Sequence, residues 1–140
     1  MKTIKRKDFI EMVYKDSQSK IFNDLSKTLQ KASVSDLHNF LNNDGDLSNR
    51  FVSNINKMIM SFTNIVYTAT ESKLKELLSQ ANENDDVSVR IFDGVIVDCS
   101  YIPKRTKTNN FNGEIVVYPP YLKPKFNVSR NYIKTLNRIT

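Results

Sequence analysis

A chain of 140 residues with 39% apolar side chains is long enough for one domain with a buried core, and its net charge is +6. With this composition, and with no low-complexity tract, intrinsic disorder is not the default expectation. The single cysteine, Cys99, excludes an internal disulfide, and no stretch approaches the roughly 18 apolar residues that a membrane span needs. The basic N-terminus reaches Asp8 without a long apolar run, so we expect no secretory signal. The protein is expected to be soluble and cytoplasmic, or made in a cell and packaged into a phage or virion.

The first predicted element is a helix over residues 5–31. Apolar or small side chains recur there at steps of three and four, without Gly or Pro: Ile10, Val13, Tyr14, Ser17, Ile21, Leu25 and Leu29. Ser33 and Asp36 then resemble a capping box, with Asp36 in place of the usual Glu or Gln. A short helix should follow it and end at the Asn-Asn-Asp-Gly turn at 42–45.

Ser48 is predicted to cap the longest periodic segment of the chain. Its apolar positions are Phe51, Ile55, Met58, Ile59, Phe62, Ile65, Val66, Ala69, Leu74, Leu77 and Leu78. A helix of this length exceeds what a small core needs. We therefore expect a homodimer with this helix in the interface.

Two β-type runs follow a polar break at residues 82–86. Residues 87–91 and 95–101 are joined at Phe92-Asp93-Gly94, where Asp-Gly is a strong hairpin signal. After Ile102 the chain turns polar and basic, reaches a second turn signal at Asn112-Gly113, and returns as a strand at 114–118. A two-stranded arm buries little surface and is marginal alone in water. Its basic character is easier to understand if a nucleic-acid groove supplies its second face.

The charge distribution supports this interpretation. From Ile102 onward, eight Lys or Arg residues stand against one acid, Glu114, whereas the first 101 residues hold 13 basic and 14 acidic residues. The excess positive charge therefore belongs to the C-terminal part of the chain. A clustered positive charge indicates a polyanionic partner, most simply nucleic acid.

The C-terminal sequence NGEIVVYPPYLKPKFNVSRNYIKTL resembles the end of the bacterial histone-like HU and integration host factor family. That family's pattern is Thr-Gly-Glu, a strand ending in Pro, then Pro-x-Phe and a basic final helix. Five residues match it without a gap: Gly113, Glu114, Pro119, Pro124 and Phe126. Arg130 falls on a basic position of the last helix, and residues 87–97 are loosely similar to the family's first hairpin.

The resemblance implies an α+β fold: a helical dimerisation body, a three-stranded antiparallel sheet extended into a β-ribbon arm, and a C-terminal helix. Two alignments of the N-terminal part are open. In the preferred one, residues 1–33 are a helical extension and 34–140 are the HU-like DNA-binding domain, because no gap is then needed between residues 35 and 48. In the other, residues 7–17 are the family's first helix and an insertion follows.

The function that the resemblance implies is architectural: binding, bending and condensing double-stranded DNA with low sequence specificity, as a nucleoid-associated intertwined homodimer. The expected DNA-binding residues are Lys104, Arg105, Lys107, Asn109, Asn110, Phe111, Lys123, Lys125, Arg130 and Lys134. The proline that the family inserts between base pairs is replaced here by Asn110, and the neighbouring Phe111 is the substitute, since aromatic side chains also unstack base steps.

The sequence bears on two other classes of function. The missing proline leaves open a protein-binding module, such as an inhibitor or a virion scaffold component, that keeps the fold without binding DNA. An enzyme is not expected, because His38 and Cys99 form no acid–base or nucleophilic set and the three glycines form no phosphate-binding loop. We expect no cofactor, no metal, no small-molecule substrate and no membrane partner.

Overall fold

The computed structural model describes residues 1–138 of an α+β protein with four helices and six strands in those residues. In chain order the elements are β1 (Lys2–Ile4), α1 (Arg6–Lys31), α2 (Val34–Leu41), α3 (Asn49–Leu78), β2 (Val87–Phe92), β3 (Val95–Ile102), β4 (Arg105–Thr108), β5 (Ile115–Tyr118), β6 (Tyr121–Val128) and α4 (Arg130–Asn137). None of the helices described is long and apolar enough to cross a membrane.

Helices α2 and α3 begin where the sequence predicted caps. The Ser33 hydroxyl accepts a hydrogen bond from the backbone N–H of Asp36 at 3.1 Å, which satisfies one of the free donors of the first turn of α2. Ser48 does the same for α3, because its hydroxyl accepts from the N–H of Phe51 at 3.1 Å. Ser33 and Ser48 are therefore both confirmed as helix caps, and the Asp36 side chain accepts from the Ser33 hydroxyl rather than completing the box through the Ser33 backbone N–H.

Asp36 connects the starts of these two helices. Its carboxylate accepts the Ser33 hydroxyl at 2.9 Å, the Ser48 N–H at 2.9 Å and the Ser48 hydroxyl at 2.7 Å. The Ser48 N–H and hydroxyl outweigh the opposing effect of burial, and with Ser33 they hold the pKa of Asp36 below its ordinary value. The carboxylate is therefore ionised and fixed at neutral pH.

Four strands form one mixed sheet in the order β1-β2-β3-β6. The pairs β2–β3 and β3–β6 are antiparallel, and β1 lies parallel to β2, with Lys2 opposite Val87 and Ile4 opposite Val89. The prediction of a three-stranded antiparallel sheet therefore lacked the fourth strand, β1, which pairs in parallel. The sequence did not reveal β1, because three residues are too few to show alternation and their partner strand is distant in the chain.

One face of this sheet forms a buried core. Val87 lies opposite Cys99 and Val89 opposite Val97, and all four side chains are at most 2% exposed. The other buried apolar residues of the same unit are Ile4, Phe9, Leu77 and Ala81. Strand β6 contains Pro124, which lacks a backbone donor, and this is tolerated because β6 is an edge strand.

The chain divides into two compact units. The first consists of Met1–Glu11 and Ser72–Thr140, and the second of Met12–Glu71. Helices α1 and α3 each contribute residues to both units. The limits of these units do not coincide with the boundary predicted after residue 33, and whether 34–140 is an HU-like domain stays a prediction.

In the second unit the Phe40 and Phe51 rings meet edge to face, with centroids 5.5 Å apart.

Candidate nucleic-acid interface

Strands β4 and β5 form a two-stranded arm in which every residue is exposed. Arg105 lies opposite Tyr118 and Lys107 opposite Val116, so these four side chains share one face. The Arg105 guanidinium carbon is 5.0 Å from the centre of the Tyr118 ring, a cation–π contact. Both basic residues of β4 therefore project from the same side of the arm.

The arm continues the two strands of the main sheet. The β3–β6 ladder ends at the pair Ile102–Tyr121, and the β4–β5 ladder begins at Arg105–Tyr118. Between the two ladders stand Pro103 and Lys104 on one strand and Pro119-Pro120 on the other. Proline has no backbone N–H and interrupts the ladder, so the arm is a separate two-stranded sheet.

The tip of the arm is closed by short hydrogen bonds. The Asn109 N–H donates to the Glu114 carbonyl at 2.8 Å, and the Asn109 side-chain oxygen accepts from the Phe111 N–H at 2.9 Å. Gly113 adopts a φ of 71°, a conformation that glycine tolerates best. This turn leaves the Phe111 side chain 100% exposed.

A depression of about 420 Å³ lies between this tip and the basic face of the arm. It is lined by Lys107, Thr108, Asn109, Asn110, Phe111, Val116 and Tyr118. The structure therefore brings together four of the predicted DNA-binding residues. Asn109 also has a structural role that the sequence did not show, because its side chain shapes the turn that presents Phe111.

Two further predicted residues, Lys123 and Lys125, lie on β6. They alternate with Pro124 and Phe126, so they project from the sheet face opposite the buried core. Lys125 lies opposite Asp98, whose carboxylate accepts from the Asn127 amide at 2.7 Å. Both lysines are exposed.

Helix α4 carries the remaining predicted residues, Arg130 and Lys134, one turn apart on the same side. The helix is fixed at its start, since the N–H of Ser129 donates to the Gly94 carbonyl at 2.8 Å. A Cβ atom at Gly94 would lie 2.3 Å from the Cβ of Tyr132. The close approach of α4 to the β2–β3 turn therefore requires glycine at this position.

A second basic cluster, not predicted from the sequence, lies in the same unit. A depression of about 400 Å³ is lined by Thr3, Lys5, Arg6, Lys7, Arg90, Phe92 and Asp93. Arg6 is paired with Asp93 at 3.2 Å. The positive charges of Lys5, Lys7 and Arg90 therefore exceed the negative charge in this depression. The run Lys5-Arg6-Lys7 was visible in the sequence, but its proximity to Arg90 follows from the parallel pairing of β1 with β2.

The sequence offers Cys99 and His38 as candidate reactive side chains. Cys99 is 2% exposed, and burial raises the pKa of its thiol, with a smaller contribution from Asp86, which favours the protonated thiol. His38 is exposed and its ring contacts the Asn42 amide. Residues 1–138 contain no group of three or more His, Cys, Asp or Glu side chains that could hold a metal ion.

Comparison of the chain with protein-family models, with curated proteins and with solved structures found no significant match.

Proposed function

We propose that this protein is an architectural DNA-binding protein that binds and bends double-stranded DNA with low sequence specificity. The observation that carries the proposal is the arm. Its strands have no buried residue, its two basic side chains share one face, and a fully exposed aromatic side chain stands at its tip. A two-stranded arm that buries no side chain is only marginally stable alone in water. In the proposed complex, the nucleic-acid groove provides the surface against which the arm packs.

Phosphate contacts provide most of the affinity in this proposal. Arg105 and Lys107 follow one strand of the duplex along the arm, while basic side chains of β6 and α4 hold flanking phosphates. Contacts of this kind position the protein without reading base edges, so sequence preference is weak. They also displace counterions, so the affinity falls as salt rises, with a slope of about −0.9 per phosphate contacted.

Bending is assigned to Phe111. An apolar side chain inserted between base pairs unstacks one step and kinks the duplex. Smooth bending of 20–30 base pairs costs on the order of 1–6 kcal/mol, which insertion and additional backbone contacts must offset. This role as a wedge is supported by the exposure of Phe111 and by the turn that presents it.

We infer that the second alignment holds, in which residues 7–17 are the family's first helix and an insertion follows. The grouping of the start of α1 with the sheet supports this alignment over an N-terminal extension. An HU-like homodimer is supported by apolar side chains of β6 and α4 left uncovered, among them Phe126, 67% exposed, and Leu136, 51% exposed. Association with a bacterial nucleoid or with packaged phage DNA follows from this function.

Equilibrium binding to a fluorescent duplex of arbitrary sequence, at about 50 mM and about 200 mM salt, tests the proposal. The wild-type protein should bind tightly at the lower salt and weakly at the higher. The R105Q/K107Q variant should bind more weakly and show a slope smaller by about 1.8, because two phosphate contacts are lost. The charge-conserving R105K/K107R variant should retain the wild-type slope.

The rival function makes the opposite prediction. A protein-binding module on the same fold would leave the duplex unbound even at the lower salt, and R105Q/K107Q would then behave as the wild type does. Phe111 would in that case contact a partner protein, and addition of duplex DNA would leave the environment of the Phe111 side chain unchanged.

A further inference from the structure

A second candidate anion-binding surface lies in the unit Met12–Glu71. The C-terminal half of α1 and the first half of α3 border a depression of about 240 Å³. The α1 side chains that line it are Asp24, Lys27, Thr28 and Lys31, and those of α3 are Asn54, Lys57, Met58 and Ser61. We name this surface the helical basic groove.

The groove has a cationic rim and a polar floor. Lys27, Lys31 and Lys57 are exposed, and in the part of the chain that the structure describes none of them forms a salt bridge. Thr28 and Asn54 are half-buried between them. Three ammonium groups that line one depression repel one another, so an anion that binds among them is attracted by all three.

The single acid of the groove does not neutralise this rim. Asp24 is half-buried, and its carboxylate accepts a hydrogen bond from the Ser61 hydroxyl at 2.5 Å. Three ammonium groups therefore stand against one carboxylate. The unit as a whole contains six basic and six acidic residues, so the cluster is a local segregation of charge rather than a consequence of net charge.

We propose that the helical basic groove binds the phosphate backbone of duplex DNA, as a contact independent of the arm. The inference rests on the proposed function and adds a second surface to it. Lys27 and Lys31 are one helical turn apart and Lys57 faces the groove from α3, so the charges form a strip that suits successive phosphates. Lysine is a flexible point charge, which suits a backbone contact without a fixed geometry.

The test measures the salt dependence of binding of the full-length chain to a nonspecific duplex. The K27Q/K31Q/K57Q variant should lower the steepness of log affinity against log salt by about 2.7, which is about 0.9 for each of three phosphates. The K27R/K31R/K57R variant should restore the wild-type slope. Lys15→Gln removes an exposed charge of the same unit outside the groove and should leave the slope unchanged.

Thermal unfolding followed by circular dichroism separates a binding defect from misfolding. Removing three mutually repelling charges should leave the melting temperature unchanged or higher. If the triple variant melts early, Lys57→Gln alone should still lower the slope by about 0.9. An unchanged slope in a folded variant overturns the proposal for the helical basic groove. If R105Q/K107Q binds duplex more weakly in the same assay, the proposed role of the arm is still supported. Failure of the wild-type chain to bind duplex overturns both.

Discussion

Phe111 is the residue on which the proposed bending of DNA depends. Its side chain is 100% exposed at the tip of the arm, although apolar side chains of this size are usually covered. We predict that Phe111→Ala reduces DNA bending more than it reduces affinity, because the phosphate contacts of the arm remain. Energy transfer between dyes at the two ends of a short duplex measures the bend, and fluorescence anisotropy measures the affinity.

Phe111→Leu is the matched control, since aliphatic side chains also act as wedges. It should keep most of the wild-type energy transfer. Equal energy transfer for the alanine variant and the wild type at saturating protein would show that Phe111 does not insert into the duplex.

Asp36 determines a pH dependence of stability. Because the pKa of Asp36 is lower in the folded protein than in the unfolded chain, the carboxylate stabilises the fold above the ordinary aspartate range. This contribution is lost as the pH falls through that range to the lowered pKa. We predict that Asp36→Asn lowers the melting temperature at pH 7 and that its difference from the wild type shrinks in acid.

The exposed Asp44 lies in the neighbouring turn and provides the control. Asp44→Asn should leave the melting temperature close to that of the wild type across the same pH range. A destabilisation by Asp36→Asn that is as large at acid pH as at pH 7 would exclude the ionised carboxylate as its cause.

At the scale of elements, the position of α4 depends on Gly94. A methyl group there would overlap the Cβ of Tyr132, 2.3 Å from its position, so the helix must move away from the β2–β3 turn. We predict that Gly94→Ala destabilises the protein by about 1–3 kcal/mol, the usual cost of overpacking. Urea unfolding measures this free energy.

A double-mutant cycle identifies the contact responsible. Tyr132→Gly removes the Cβ that Gly94→Ala would meet, so Gly94→Ala should cost less in that background than in the wild type. The same cost in both backgrounds would mean that the strain arises elsewhere in the turn.

At the scale of the whole molecule, the uncovered apolar surface of β6 and α4 favours a homodimer. We predict that Phe126→Glu shifts the protein toward the monomer in sedimentation equilibrium, since it places a charge on that surface. Ile115→Glu is the control, because Ile115 on the arm is 68% exposed, close to the 67% of Phe126. It should leave the mass unchanged.

A wild-type protein that sediments as a monomer both with and without duplex would contradict the homodimer.

The long helix α3 exposes a second candidate surface for the dimer interface. Val52, Ile59 and Val66 of α3 are spaced by seven residues and are 41–52% exposed, which fits the expectation that this helix lies in a dimer interface.

The sequence by itself determined the local structure. The helix over residues 5–31 is observed as Arg6–Lys31, and the helix capped by Ser48 is observed as Asn49–Leu78. The β2–β3 turn and the tip of the arm also stand where Asp-Gly and Asn-Gly predicted them. These features depend on side chains a few residues apart, through periodicity, capping and turn conformation, so the chain carries their signal locally.

Only the tertiary structure decided which distant segments meet. The pairing of β1 with β2, the approach of Arg90 to the N-terminal cluster, and the groove between α1 and α3 all join residues far apart in the chain. The division into Met12–Glu71 and the remainder has the same origin. Such contacts depend on which apolar faces and strand edges find one another, and no short sequence pattern records that choice.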